Sequence, residues 1–126
     1  MSAVSANPDE TVWRSGCPIS SALDVLGDKW SLLIIRDLVI CGTRTYSDFR
    51  ESPEGIATNI LAARLKLLSR LDLIERVDPE RASRGNAYQL TERGAALRPT
   101  LNELFTWSQQ HLGEFHPDMH PEQRSL

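Results

Sequence analysis

The sequence predicts a small α+β domain, mainly helical, laid out as a winged helix-turn-helix. Three observations predict it: a series of capped helices through the first half, an amphipathic segment from Ala57 to Arg70 whose polar face is basic, and two β-prone stretches that follow it. At 126 residues the chain is long enough for one ordinary domain and short for two.

The first helix signal is Cys17-Pro18, since proline fits the first helical position, where its missing N–H would be unpaired anyway. Ile19, Ala22, Leu23 and Leu26 follow at helical spacing, and Gly27 ends the run. Asp28 reads as the N-cap of a second helix carrying Trp30, Leu33, Ile34 and Leu38, with Gly42 as its stop. Thr45 and Asp48 have the spacing of a capping box, so a short third helix turns Tyr46 and Phe49 inward before Pro53 and Gly55 interrupt it.

A fourth helix begins near Ala57 or Thr58. On a wheel with Leu61 at zero, Leu65 falls at about 40° and Leu68 at about −20°, while Asn59, Ala63, Lys66 and Arg70 cluster between about 140° and 200°. One face is core and the opposite face is small, amide-bearing and basic. Leu73 to Val77 and Ala87 to Leu90 then read as a two-stranded hairpin with a long, arginine-bearing tip. Thr91 caps a C-terminal helix striped by Leu97, Leu101, Leu104, Phe105 and Leu112, and Pro99 predicts a kink or break at Arg98. Residues 1–13 and 114–126 read as flexible tails around a domain spanning 14–113.

This layout suits duplex DNA. A major groove admits one α-helix, and a basic hairpin beside it can follow the backbone or the minor groove. Asn59 is suited to adenine, Lys66 and Arg70 to guanine or phosphate, and Ala63 to close approach or a thymine methyl. Thr58 begins the same helix, and Arg81, Arg84 and Asn86 are the wing candidates. Arg64, beside the apolar stripe, is equally suited to an internal salt bridge and to phosphate.

Composition narrows the partners. The net charge of −3 argues against binding nucleic acid by bulk charge, yet Ile56 to Asn86 holds six basic residues against four acidic ones. No apolar run approaches the roughly 18 residues of a membrane span, and the N-terminus has no secretory signal pattern, so a cytoplasmic protein is expected. Cys17 and Cys41 form no disulfide framework and are expected as free thiols, Cys41 within the core. His111, His116 and His120 lack a recognisable metal spacing, and no nucleophile–base–acid set or phosphate loop is present. The expectation is therefore a non-enzyme without metal or cofactor.

The chain resembles the HxlR-type winged helix regulators of bacteria, of the MarR-like superfamily. The resemblance rests on Cys17-Pro18-Ile19, Leu23 to Ile34, Ser52 to Leu65 and Tyr88 to Gly94, and covers about residues 15 to 112. It implies a homodimer joined through the first and C-terminal helices and bound to double-stranded operator DNA, with repression the expected outcome. Two positions depart from the family pattern: Ala57 replaces a common capping serine, with Thr58 the expected cap instead, and Asp72 replaces a helix-ending glycine.

The family includes thiol sensors of oxidants and electrophiles whose reactive cysteine matches Cys17. A thiol at a helix N-terminus has its thiolate stabilised by the helix dipole, which suits that role, while a packed cysteine at the dimer contact is the plainer reading. Two other functions stay open at this point: regulation by a small molecule in a pocket near the dimer interface, and a protein–protein adaptor.

Overall fold

The computed structural model describes residues 10–80 and 86–120. Its elements are α1 (Pro18–Leu26), α2 (Ser31–Cys41), β1 (Thr43–Thr45), α3 (Tyr46–Arg50), α4 (Thr58–Arg70), β2 (Ile74–Arg76), β3 (Ala87–Leu90), α5 (Glu92–Ala95) and α6 (Arg98–Leu112). Among the described residues no helix is long and apolar enough to cross a membrane.

Local chemistry explains most boundaries. Pro18 opens α1. Asp28 lies ahead of the N-cap position, which is Trp30, yet its Oδ2 accepts the N–H groups of Trp30 and Ser31 at 3.0 Å each, and its Oδ1 accepts the Ser31 hydroxyl at 2.6 Å. The α3 capping box is complete in both directions between Thr45 and Asp48. Thr91 Oγ accepts from the Gly94 N–H and starts α5, and Pro99, in the first turn of α6, coincides with the expected break. Asp72 takes a left-handed φ of 63° after α4.

Four expectations differ from the structure. The sheet has three strands in the order β1-β3-β2, all antiparallel, because Gly42 at φ 81° turns the chain out of α2 and lays Thr43 opposite Gln89. Thr58 caps nothing: Ala57 occupies the N-cap position and gives α4 no side-chain acceptor. Cys41 is exposed rather than core: it is the last residue of α2, where the chain turns out at Gly42. Residues 114–120, expected as tail, return along α6, where Gln109 Nε2 donates to the His120 carbonyl at 3.2 Å.

The core joins Ile34, Ile35 and Leu38 of α2, Phe49 of α3, Leu61, Leu65 and Leu68 of α4, Leu73 and Ile74 at β2, and Leu101 of α6. Each such side chain contributes about 1.5–3 kcal/mol by leaving water. These contacts hold α4 against α2 with its opposite face outward.

Three carboxyls bear on stability. Partial burial pushes Asp28 up, but the hydrogen bonds from Ser31 and Trp30 and the charge of Arg64 outweigh it and lower it. The Thr45 N–H lowers Asp48, and the Arg36 guanidinium lowers Glu54. Folded values below unfolded ones mean that this stabilisation is complete above the unfolded value and is lost as pH falls through the folded one. Thermal melts should therefore show Tm falling steadily below the ordinary carboxylate range, about pH 4. An acid-side Tm that stays flat to pH 2 would contradict these assignments.

Candidate nucleic-acid interface

The site is built from the α3–α4 pair and the sheet edge beside it. Tyr46 Oη donates to the Thr58 carbonyl at 3.0 Å, fastening the start of α3 to the start of α4. Leu61, Leu65 and Leu68 sink into the core. Their helical period leaves Asn59, Ala63, Lys66 and Arg70 exposed together, and Thr58 is exposed at the start of the helix.

An open groove of about 710 Å³ runs along this surface, lined by Ser47 and Arg50 of α3, Lys66, Ser69 and Arg70 of α4, and Arg76 of β2. Among the described residues no acidic side chain lines it. Arg50, Lys66, Arg70 and Arg76 make no hydrogen bond or ion pair among the described residues. Four cations without partners among the described residues, over a groove bounded by a helix pair and a sheet edge, give that groove a positive lining with a spacing set by the fold.

The sequence candidates divide three ways. Asn59, Ala63, Lys66 and Arg70 lie on one exposed face, with Thr58 exposed at the helix start. Arg81 and Arg84 fall outside the described residues. Asn86 is corrected as a wing contact: it is 2% exposed, its Nδ2 donates to the Asp78 carbonyl, and its Oδ1 accepts the Asp78 N–H at 3.4 Å. It ties the base of the hairpin together. For Arg64 the structure selects the internal pair, with Asp28 at 3.6 Å.

Sequence reasoning missed Arg50 and Arg76. Arg50 is exposed beside the inward-facing Phe49, a local signal that could have been read. Arg76 comes into the groove only through pairing with Tyr88.

Cys17 lies elsewhere. It is the exposed N-cap residue of α1, and the N–H groups of Ser20 and then Ile19 hold its thiol below the ordinary value. Its helix buries none of its residues, leaving Ile19 73% and Leu23 55% exposed. On α6, Leu104, Trp107 and Leu112 are also exposed.

Residues 25–116 match the model of the HxlR-like helix-turn-helix family. The HTH-type transcriptional regulator YodB of Bacillus subtilis is 35% identical over 96 residues, covering 75% of this chain and 84% of YodB. The crystal structure of PA1607 superposes with a TM-score of 0.70 at 39% identity, over 85% of this chain and 72% of that one. The crystal structure of quinone-bound YodB superposes with a TM-score of 0.62 at 34% identity, over 75% of this chain and 98% of that one.

Proposed function

This chain belongs to the HxlR-like helix-turn-helix family and is a DNA-binding transcriptional regulator, and we propose that it works as a homodimer on a pseudo-palindromic operator. The observation that carries this reading is the exposed α4 face and the groove beside it, whose cations Arg50, Lys66, Arg70 and Arg76 have no partner among the described residues. In it, α4 enters the major groove with Asn59 and Ala63 toward the bases. Thr58, Lys66 and Arg70 face base edges or phosphate, and Arg50, Arg76, Arg81 and Arg84 hold the flanking backbone.

Dimerisation is supported by surface that one protomer leaves wet. The exposed apolar side chains of α1 and α6 form the kind of patch that a second copy covers. Pairing through these helices would carry two α4 helices to successive major grooves, about 34 Å apart. The duplex and the chain would meet in the cytoplasm.

Cys17 fits a switch on this dimer. Its lowered thiol favours the thiolate, the form that adds to a quinone ring or, with an external oxidant, forms a disulfide with a second thiol. Because Cys17 begins α1, the modification would alter the dimer contact and so the spacing between recognition helices. The quinone-bound relative supports this chemistry. A small-molecule version of the same regulator has one observation behind it: an apolar cleft of about 240 Å³ between α2 and α6, lined by Leu32, Leu33, Leu101, Leu104 and Phe105.

The test is fluorescence anisotropy on the chain's own upstream intergenic duplex with competitor DNA, at two salt concentrations, reduced and then treated with diamide or benzoquinone. Specific binding should weaken steeply with salt and be lost on treatment, while Cys17→Ser retains binding under both reagents. Wild-type binding indifferent to both would remove the thiol switch and turn attention to the α2–α6 cleft. Absence of specific binding there would count against autoregulation through that duplex.

A further inference from the structure

Behind the start of α4 lies a charged network that DNA contact does not use. Asp37 of α2 is 9% exposed. Its Oδ2 accepts the Ser52 hydroxyl at 2.6 Å and faces Arg44 Nη1 at 3.5 Å. Its Oδ1 accepts Arg36 Nε at 3.0 Å and Nη2 at 2.8 Å. The same guanidinium reaches across to Glu54 in a two-pronged pair, both distances 2.9 Å. Arg44, from β1, also donates to the Asp48 carbonyl of α3 at 3.0 Å.

One carboxylate thus ties α2, β1 and α3 to the segment joining α3 to α4. Beside this network the segment is held by Ile56, which packs against the core, by the Gly55 N–H donating to the Ser52 carbonyl at 3.1 Å, and at its far end by Tyr46 on the Thr58 carbonyl. Pro53 and Glu54 are exposed, Gly55 turns at φ 70°, and Ala57 gives α4 no side-chain cap. Half-buried ion networks are weak contributors to stability but good at fixing one arrangement among several. Arg36 also lines the α2–α6 cleft, so the network stands between that cleft and the start of α4.

We infer that Arg36, Asp37, Ser52 and Glu54 are positioning residues for α4: they fix the angle at which it leaves the α3–α4 turn, and hence its fit to a specific operator, without touching DNA. The inference rests on the DNA-binding reading of α4. It differs in sign from simple electrostatics. Glu54 has a partly exposed side chain, 35%, near the start of a DNA-facing helix, so as a mere negative charge its removal would strengthen binding to every duplex. As a positioning residue its removal weakens specific binding and leaves nonspecific binding unchanged or slightly stronger.

The experiment measures affinity of wild type, Glu54→Gln, Ser52→Ala, Arg36→Ala, Glu54→Ala and the Arg36→Ala/Glu54→Ala pair for the chain's upstream duplex and a scrambled duplex, with Tm as a check of folding. Each single variant is expected to lose about fivefold to tenfold in specific affinity, with scrambled-duplex affinity held by Ser52→Ala, held or raised by the Glu54 variants, and lowered less than specific affinity by Arg36→Ala, which removes a cation. The double variant should bind no worse than Arg36→Ala, since the two side chains act through each other. Ser52→Ala, which removes no charge, keeps the test open if the charge variants unfold. Equal or improved specific binding by Glu54→Gln and Ser52→Ala would overturn the inference. A wild type that prefers neither duplex would count against this duplex as its operator, and the comparison would move to a site selected from random duplexes.

Discussion

Replacing Lys66 and Arg70 together by alanine lowers operator affinity on the order of a thousandfold while leaving Tm near wild type. The size follows from the proposed homodimer: in it each substitution acts in both protomers, so four contacts are lost, at about 1 kcal/mol or more each. Tm is spared because both side chains are exposed and neither has a partner within the described protomer to leave stranded. If the contacts are to phosphate, the slope of log affinity against log salt becomes shallower by about 3.6, or 0.9 for each neutralised phosphate lost. A loss confined to the specific duplex with the slope preserved would instead assign base contacts. Anisotropy titrations at several salt concentrations measure both quantities. Affinity and slope equal to wild type would move the DNA surface off α4.

The α4 face was legible because helical periodicity is local. Leu61, Leu65 and Leu68 point one way by spacing alone, and the structure buries them while exposing Asn59, Ala63, Lys66 and Arg70. The capping box at Thr45, the break before Pro99 and the left-handed Asp72 are equally local. Features made by distant residues were not legible. β1 is too short to show a period and exists through pairing with β3. Arg76 joins Arg50 and the α4 cations only after the sheet has formed. Asn86 was misread because an amide in a basic turn suits a DNA contact and a hairpin tie alike; the backbone of Asp78 decides between them. The Asp37 network requires Ser52 and Glu54, 15 and 17 positions further on, to return beside it.

Gly94→Ala should be the most damaging single change of those considered, and by space rather than backbone freedom. A Cβ at Gly94 would lie 2.0 Å from the Leu73 carbonyl oxygen and 3.1 Å from Leu90 Cδ2. The main-chain oxygen cannot step aside, because it accepts the Thr91 N–H at 3.1 Å. Thr91 is itself held twice, its hydroxyl donating to the Asp72 carbonyl at 2.6 Å and accepting the Gly94 N–H at 3.1 Å. The start of α5 is thereby clamped to the chain entering β2, and relief of the clash must move α5, and α6 with it, away from the sheet. Overpacking of this severity costs about 3 kcal/mol or more, a large part of the roughly 5–15 kcal/mol that holds a domain together. For a chain of 126 residues, that corresponds to a Tm lower by about 10–15 °C. Gly42→Ala is the contrast: no atom stands within 4 Å, so only the backbone, at φ 81° and ψ −56°, opposes a side chain, at about 1–3 kcal/mol. Thermal melts of the two variants separate the causes. A Gly94→Ala Tm at or above that of Gly42→Ala would mean that the α5 clamp yields, and that the packing of α5 on β2 is not what sets the position of α6.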